Sequence, residues 1–208
     1  MNVSVAIGTF GGQHWVDLAQ RAIRSARALD VPVLHVHANS LHEARNEALN
    51  RVETEWVIHL DADDELDICF VEEMEKGSAD VRAPSVAYIN GGYISNPLVP
   101  QVFGHSHQCV ADCLVDGNWL VVGSMVRTDL VRKVGGWKDY PVYEDFDLWQ
   151  RCWLAGASME AIPCAIYKAY VRYDSRNRGF NSQETKAMTH YRISKTNMPD
   201  RNWEHLKR

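Results

Sequence analysis

The sequence predicts an α/β protein built on a single Rossmann-like, mostly parallel sheet flanked by helices. Over the first half of the chain, short apolar segments alternate with longer segments of helical periodicity. No repeat, low-complexity tract or linker interrupts the 208 residues. Apolar and charged contents of 46% and 24% are those of an ordinary globular protein. We therefore expect one domain spanning residues 1–208.

The first half of the chain predicts strands and helices in strict alternation. Ser40 and Glu43 form a capping box at the start of the second helix. A series of this kind predicts parallel strands joined by right-handed crossovers, with ligands bound beyond the carboxyl ends of the strands. The predicted strands are 3–7, 31–38 and 56–60, and the predicted helices are 15–29 and 41–52.

The second half of the chain gives a looser pattern. Residues 84–118 contain several prolines and glycines and read as irregular strands and loops. Glycines mark the ends of two of the helices that follow, at Gly135-Gly136 and at Gly156. The predicted helices are 67–76, 128–134, 144–155 and 185–194, the last after an Asn181/Glu184 capping box; the predicted strands are a buried one at 118–126 and an edge strand at 165–173.

Charge and cysteine content exclude several classes of function. A net charge of −5 argues against a general nucleic-acid binder or membrane-surface binder, because either needs a basic field. The N-terminal segment lacks the features of a signal peptide, and no stretch approaches the apolar length of a membrane span. Five scattered cysteines fit reduced thiols better than a disulfide framework. We expect a cytoplasmic protein with no membrane span.

The third predicted strand ends in a cluster of acids, "WVIHLDADDEL" at residues 56–66. These acids could cap the following helix. A calcium loop of the EF-hand type is excluded, because Leu66 stands where that loop needs glycine. Two interpretations with chemistry remain. Asp61 and Asp63 could be the nucleophile and acid–base of an aspartyl phosphatase, or they could hold Mg²⁺ or Mn²⁺ against a diphosphate.

A second group of acids, Glu144, Asp145 and Asp147, stands in the first turn of a predicted helix. Acids are favourable at a helix N-terminus and need no catalytic role there. Helical spacing places the apolar residues of this helix on a core face, so Trp149 is expected to pack rather than stack on a sugar. That predicted core face consists of Leu148, Trp149, Cys152 and Trp153.

Three segments, in order, resemble family 2 glycosyltransferases of the GT-A fold. "VSVAIGTF" resembles the opening strand and nucleotide-binding turn of that family. "ARNEAL" followed by "EWVIHLDADDEL" resembles its helix with a nucleotide-facing arginine and its D-x-D motif. "GSMVRTDLVRKVGGWKDYPVYEDFDLWQRC", residues 123–152, resembles its second signature, which contains a Glu-Asp pair.

The resemblance implies transfer of a sugar from a nucleoside diphosphate, most often UDP, to an acceptor hydroxyl, with inversion. It implies that Asp145 is the catalytic base and that Glu144 helps to place an acceptor of unknown identity. Asp63, with Asp61, would bind Mn²⁺ or Mg²⁺. Residues 1–83 would form the nucleotide-binding half and 84–208 the acceptor and catalytic half. The nucleotide-sugar-binding residues implied are Thr9, Phe10, Arg45, Asp61, Ala62, Arg172 and Arg176.

The sequence also departs from the family pattern. The second strand ends "HVHANS", without the acid that commonly reads the base, and "AYVRYDSRN" lacks the downstream histidine. A non-catalytic protein that binds a nucleotide sugar or a glycan therefore stays an alternative. Zinc is not favoured at "HSHQCVADC", because its spacing is tighter than that of paired zinc ligands. We expect a loop on the acceptor side there; the candidate ligands are His105, His107, Cys109 and Cys113.

Overall fold

The computed structural model describes residues 2–100, 114, 118–173 and 183–200. The histidine and cysteine segment at 105–113, the arginines at 176 and 178, and the capping residue at 181 lie outside these residues. Within the described part, strands and helices alternate over residues 3–60 and follow one another less regularly after that, in an α/β fold. None of the described helices is long and apolar enough to cross a membrane.

The strands of the described residues form one sheet, in the order β2-β1-β3-β7-β5-β8-β4, with β6 paired to β5. The parallel arrangement predicted for β1, β2 and β3 is confirmed, with Val5 opposite Val33 and Ile58. The sheet is mixed, because β7 runs antiparallel to β3 and β5. The strands are β1 Val3–Phe10, β2 Val33–Ala38, β3 Trp56–Leu60, β4 Glu65–Leu66, β5 Val81–Asn90, β6 Tyr93–Ile94, β7 Met125–Arg127 and β8 Met159–Tyr170.

The helices pack against the sheet and against each other. Helix α2 packs on β1 and β2, α3 on β8, and α5 on α6. The predicted N-cap is confirmed at Ser40, whose hydroxyl accepts from the Glu43 amide, the first of the two hydrogen bonds of a capping box. The helices are α1 Gln13–Arg27, α2 Leu41–Asn50, α3 Phe70–Met74, α4 Thr128–Lys133, α5 Glu144–Leu154 and α6 Gln183–Asn197.

Three predictions for the second half were wrong in extent. Only Met125–Arg127 of the predicted strand 118–126 is a strand, because Leu120 and Val122 are buried beside a cavity rather than by strand pairing. The segment expected to be irregular contains β5, a strand of ten residues. The helix predicted over 67–76 is limited to α3.

The prolines of β5 and β8 explain the failure in this region. The register between the two strands shifts between Pro84 and Ser85, and Pro163 lies opposite that shift. A proline without an N–H group is tolerated at such a bulge. Strand β8 begins six residues before the predicted strand and has partners on both sides, with β5 along its length and the short β4 at Glu65–Leu66.

Candidate active site

A cavity of about 430 Å³ opens at the carboxyl ends of β1 and β3. Residues from these strand ends line it together with residues from the start of α5 and from the segment 118–122. The predicted ligand-binding edge of the sheet is therefore where the structure has its cavity. Predicted site residues that line it are Thr9, Phe10, Arg45, Asp61, Ala62, Asp63, Glu144 and Asp145.

Arg45 is buried between the two acidic segments. Its Nη2 donates to Asp61 Oδ1 at 2.6 Å, and its Nη1 donates to Glu144 Oε1 at 2.9 Å. The guanidinium lies over the Trp137 ring, 4.2 Å from the centroid. Burial opposes its charge, but Asp61 and Glu144 together raise the pKa of Arg45 above its ordinary value. Arg45 therefore stays charged and joins the two acidic segments.

Hydrogen bonds hold both the backbone and the indole ring of Trp137. The sequence did not predict these contacts. Asn46 Nδ2 donates to the Trp137 carbonyl, and the Trp137 amide donates to Asn46 Oδ1, each at 2.8 Å. The indole Nε1 donates to His59 Nε2 at 3.2 Å. Burial, and then the charge of Arg45, lower the pKa of His59 to about 3, so His59 is neutral.

Gly136 is needed for this pairing of Asn46 with the chain. It has φ of +65°, and a side chain there would overlap Asn46 Oδ1. The signal in the sequence was the Asn that follows Arg45 in "ARNEAL", together with Gly-Gly-Trp. An amide side chain can pair with a backbone N–H and C=O at once. The local sequence, however, does not indicate that Asn46 pairs with Trp137, 91 residues away.

The acids after β3 lie in different environments. Asp64 is buried, accepting from Tyr167 Oη at 2.6 Å and from the Tyr170 amide at 2.8 Å. Burial, and then the charge of Asp61, raise the pKa of Asp63 to about 6. Burial, Asp61 and Asp63 also raise the pKa of Asp64. Burial is the largest cause of both shifts, and the neighbouring carboxylates add to it.

Two arginines approach Asp63. Arg172 Nε lies 3.9 Å from Asp63 Oδ2, which places this predicted nucleotide-sugar residue beside the acid cluster. Arg21 Nη2 donates to the Asp63 carbonyl at 2.5 Å, and its guanidinium lies over the Tyr170 ring. Arg21 was not predicted, because its helix position suggests only an exposed basic residue.

Asp145 lines the same cavity as this cluster and lies at the start of α5. Its Oδ2 accepts from Asn118 Nδ2 at 2.8 Å, and its Oδ1 accepts from the Phe146 amide at 2.8 Å. Burial, and then the charge of Glu144, raise the pKa of Asp145 to about 6. Tyr143, directly before the Glu-Asp pair, has a left-handed φ of 62°. Such backbone strain is typical of functional sites, where the fold holds a side chain in a required direction.

Asp147 has a different environment from its neighbours. It is fully buried, and its Oδ2 accepts from Arg151 Nε at 2.8 Å and from Nη2 at 2.6 Å. Arg151 also donates to the carbonyls of Val134 and Gly136, which ties α5 to the segment that carries Trp137. Asp147 is therefore a structural acid. The predicted core face of α5 is confirmed by the burial of Leu148, Trp149, Cys152 and Trp153.

The carboxyl end of β2, where the family's acid is missing, carries two histidines. Thr9 Oγ1 lies 2.9 Å from His35 Nε2 and 3.1 Å from His37 Nδ1. Thr9 is buried, so its hydroxyl is committed to this pair. Trp15 also lines the cavity, although its place in a helical stripe suggested only packing.

Comparison with known proteins identifies the family. A model described as glycosyl transferase family group 2 matches residues 56–208, most of the chain. The chain belongs to this family. The match includes both acidic segments that line the cavity. The glycosyltransferase assignment excludes the aspartyl phosphatase alternative for Asp61 and Asp63. A search of curated proteins found no significant match.

Solved structures confirm the GT-A fold of this glycosyltransferase. S. aureus TarS 1-349 in complex with UDP-GlcNAc superposes with a TM-score of 0.71 at 16% identity, covering 99% of this chain and 69% of that one. TarS 1-349 in complex with UDP gives 0.63 at 15% identity, covering 99% and 68%. S. aureus TarS gives 0.58 at 16% identity, covering 99% and 41%.

Proposed function

We propose that this glycosyltransferase transfers a sugar from a UDP-sugar to an acceptor hydroxyl, with Asp145 as catalytic base. The observation that carries the proposal is that Asp145 lines the same cavity as Asp61 and Asp63. A transfer of this kind needs charge compensation for a departing diphosphate on one side and a proton acceptor on the other. The TarS complexes with UDP and UDP-GlcNAc support a uridine nucleotide as donor.

Asp61 and Asp63 would hold Mg²⁺ or Mn²⁺. Among the described residues, no group of three or more acids, histidines or cysteines is arranged to bind a metal alone. Two carboxylates nevertheless fit these ions, which take few protein ligands when substrate phosphates supply the others. The raised pKa of Asp63, caused by burial and by Asp61, fits a position that a cation would stabilise. When bound, the ion would offset negative charge on the diphosphate.

Asp145 would take the proton of the acceptor hydroxyl while that oxygen attacks the anomeric carbon of the donor sugar. The bond from this carbon to the diphosphate oxygen breaks as the new glycosidic bond forms. A pKa of about 6 leaves Asp145 ionised at neutral pH and more basic than an ordinary aspartate. One displacement by an acceptor on the face opposite the leaving group inverts the anomeric configuration.

The other predicted residues take roles around the donor. Phe10 and Ala62 border the cavity beside the acid cluster, and Arg172 would contact the diphosphate. Thr9 and Arg45 are held by protein partners, so we propose that they shape the nucleotide site. Glu144, bound to Arg45, would help to position the acceptor. Residues 1–83 would thus supply most donor contacts and 84–208 the base.

Thermal unfolding with UDP-sugars tests the proposal directly. The unfolding temperature is measured with UDP-glucose, UDP-GlcNAc, UDP-galactose and the matching GDP-sugars, with and without Mn²⁺. A ligand at 100 times its Kd stabilises a fold by about 2.7 kcal/mol. We expect a shift with a UDP-sugar that requires Mn²⁺ and disappears in Asp63→Asn. Absence of a shift with every nucleotide sugar would contradict the proposed donor.

A further inference from the structure

Two exposed tyrosines extend from the cavity along the sheet. Tyr88 lines the cavity and is 44% exposed, and Tyr93 is 70% exposed. Strands β5 and β6 pair Asn90 with Tyr93 and Ile89 with Ile94. Directly paired residues point to one face, and so do residues two apart on a strand. Tyr88, Asn90 and Tyr93 therefore share the face that Val86 and Tyr88 present to the cavity, whereas Ile94 lies on the opposite face.

A tight turn fixes this face. Gly91 and Gly92, which connect β5 to β6, have φ of +56° and +89°. Two successive positive φ angles are typical of a two-residue hairpin turn whose twist matches the strands. The Tyr88 carbonyl accepts from the Ser95 amide at 2.9 Å, and the Tyr88 amide donates to Ser95 Oγ at 2.9 Å. The two rings are thus presented by a hairpin rather than by an open loop.

The chain segment that contains these tyrosines has no acidic residue, lysine or arginine. Residues 83–111 contain no Asp, Glu, Lys or Arg, although 24% of the chain is charged. A surface that recognises a phosphate-bearing polymer needs cations, and one that binds an anionic membrane needs clustered basic residues. Neither is supplied by this segment.

We propose that the face formed by Tyr88, Asn90 and Tyr93 binds an uncharged glycan, which is the acceptor. This inference rests on the proposed function, because only a glycosyl acceptor must reach Asp145 through the same cavity. A sugar ring has an apolar C–H face and polar hydroxyl edges. Tyrosine offers a flat apolar ring with a polar tip, and at little entropic cost. The amide of Asn90 adds a donor and an acceptor for hydroxyl groups.

The acceptor would extend from the cavity over Tyr88 to Tyr93. Its terminal hydroxyl would lie near Asp145, and a following sugar unit would stack on the exposed tyrosines. An acceptor of several sugar units should therefore bind more tightly than a monosaccharide. A membrane surface would instead use aliphatic residues of the opposite face, such as the exposed Ile94.

Saturation-transfer NMR on the full chain tests this inference. The probes are neutral gluco-, chito- and manno-oligosaccharides of one to five units, added at millimolar concentration with UDP present. We expect one series to bind, more tightly as its length grows, and affinity to fall about fivefold to tenfold in Tyr93→Ala or Tyr88→Ala. Ile94→Ala is the matched control, since it removes a neighbouring exposed side chain from the opposite face, and it should bind as the wild type does.

Three results would overturn the inference. These are no binding by any neutral oligosaccharide, equal losses in Tyr93→Ala and Ile94→Ala, or binding only to polyphosphate or to phosphatidylglycerol vesicles. Donor binding is measured on the same samples by the unfolding shift with UDP-sugars. If the wild type shows no such shift, the proposed function fails. If the shift is present but neutral oligosaccharides do not bind, only the acceptor class is wrong.

Discussion

Arg45 and Glu144 lie 99 residues apart in the chain and form a buried ion pair of 2.9 Å. The same guanidinium binds Asp61, so the acid cluster after β3 and the Glu-Asp pair at the start of α5 share one cation. A buried charge is tolerated when it is paired and hydrogen-bonded. Arg45 thereby fixes the position of Asp61, after β3, relative to Glu144, at the start of α5.

Replacement of Arg45 should therefore be costly to the fold. Arg45→Met leaves Glu144 buried without its cation, and loss of one partner of a buried pair costs about 3–5 kcal/mol. Urea unfolding of the two proteins measures the difference. Arg51→Met is the control, because Arg51 makes an exposed pair with Glu47, and such pairs contribute at most about 1 kcal/mol. Equal losses for both variants would show that the Arg45 pair is not stabilising.

The rate of transfer should depend on the ionisation of Asp145. Burial and Glu144 raise the pKa of Asp145 to about 6. A base must be deprotonated, so the rate should rise with pH, reach half its plateau near pH 6 and level off above that. Steady-state rates between pH 5 and 8 measure this. A rate that does not change across pH 6 would contradict the role of Asp145.

Replacement of Asn118 gives a second test of how the transfer rate depends on the ionisation of Asp145. Its hydrogen bond to Asp145 favours the ionised carboxylate and lowers the pKa of that group. Asn118→Ala should move the acid limb to higher pH, so that the rate falls more at pH 6 than at pH 8. A uniform fall at both pH values would mean that Asn118 affects only packing.

Gly123 should not tolerate a side chain. An ideal Cβ at this position would overlap the ring of Tyr167, which is fully buried and donates to Asp64. Overpacking of this kind costs about 1–3 kcal/mol. Gly123→Ala should therefore unfold at lower urea than the wild type. Gly12→Ala is the control, since Gly12 has an ordinary φ of −71° and a Cβ there meets only the exposed His14.

Loss of the Asp147 charge should reduce stability, whereas loss of the Asp145 charge should reduce the rate of transfer. Asp147→Asn removes the charge that faces Arg151 in a buried pair, so we expect a loss of about 3 kcal/mol in the free energy of unfolding. At a temperature where the variant stays folded, transfer at pH 8 should stay within about threefold of wild type. Stability is measured by urea unfolding and activity by UDP release. A loss of activity as large as that expected of a catalytic residue would contradict the structural role.

The fold of the first half follows from local patterns in the sequence. Apolar runs at 3–7 and 56–60 are long enough and uniform enough to predict buried parallel strands, and Ser40 marks a helix start by its own side chain. In the second half, Pro84 suggested the start of an irregular segment, yet it lies with Pro163 at the register shift between β5 and β8. A bulge depends on the partner strand, which a local pattern does not reveal.

The candidate site also has features that the sequence predicted and features that it did not. The acids at 61, 63 and 145 could be named because their residue types and motifs carry chemistry. The partners of Arg45 could not, because Glu144 and Trp137 approach it only through the tertiary fold. Likewise, nothing in the sequence ties Asn118 to Asp145 or Tyr167 to Asp64, although these hydrogen bonds influence the pKa of each acid.

The substitution Asp145→Asn tests the central claim most directly. General base catalysis contributes about 10²–10⁴-fold to a rate, so transfer from the UDP-sugar should fall by at least about 100-fold. Asparagine keeps the size of the side chain, and the donor would be held at Asp61 and Asp63 rather than at Asp145, so the unfolding shift with UDP-sugar and Mn²⁺ should be unchanged. Transfer within tenfold of wild type would show that Asp145 is not the base, and loss of the donor shift would show that it lies in the donor site instead.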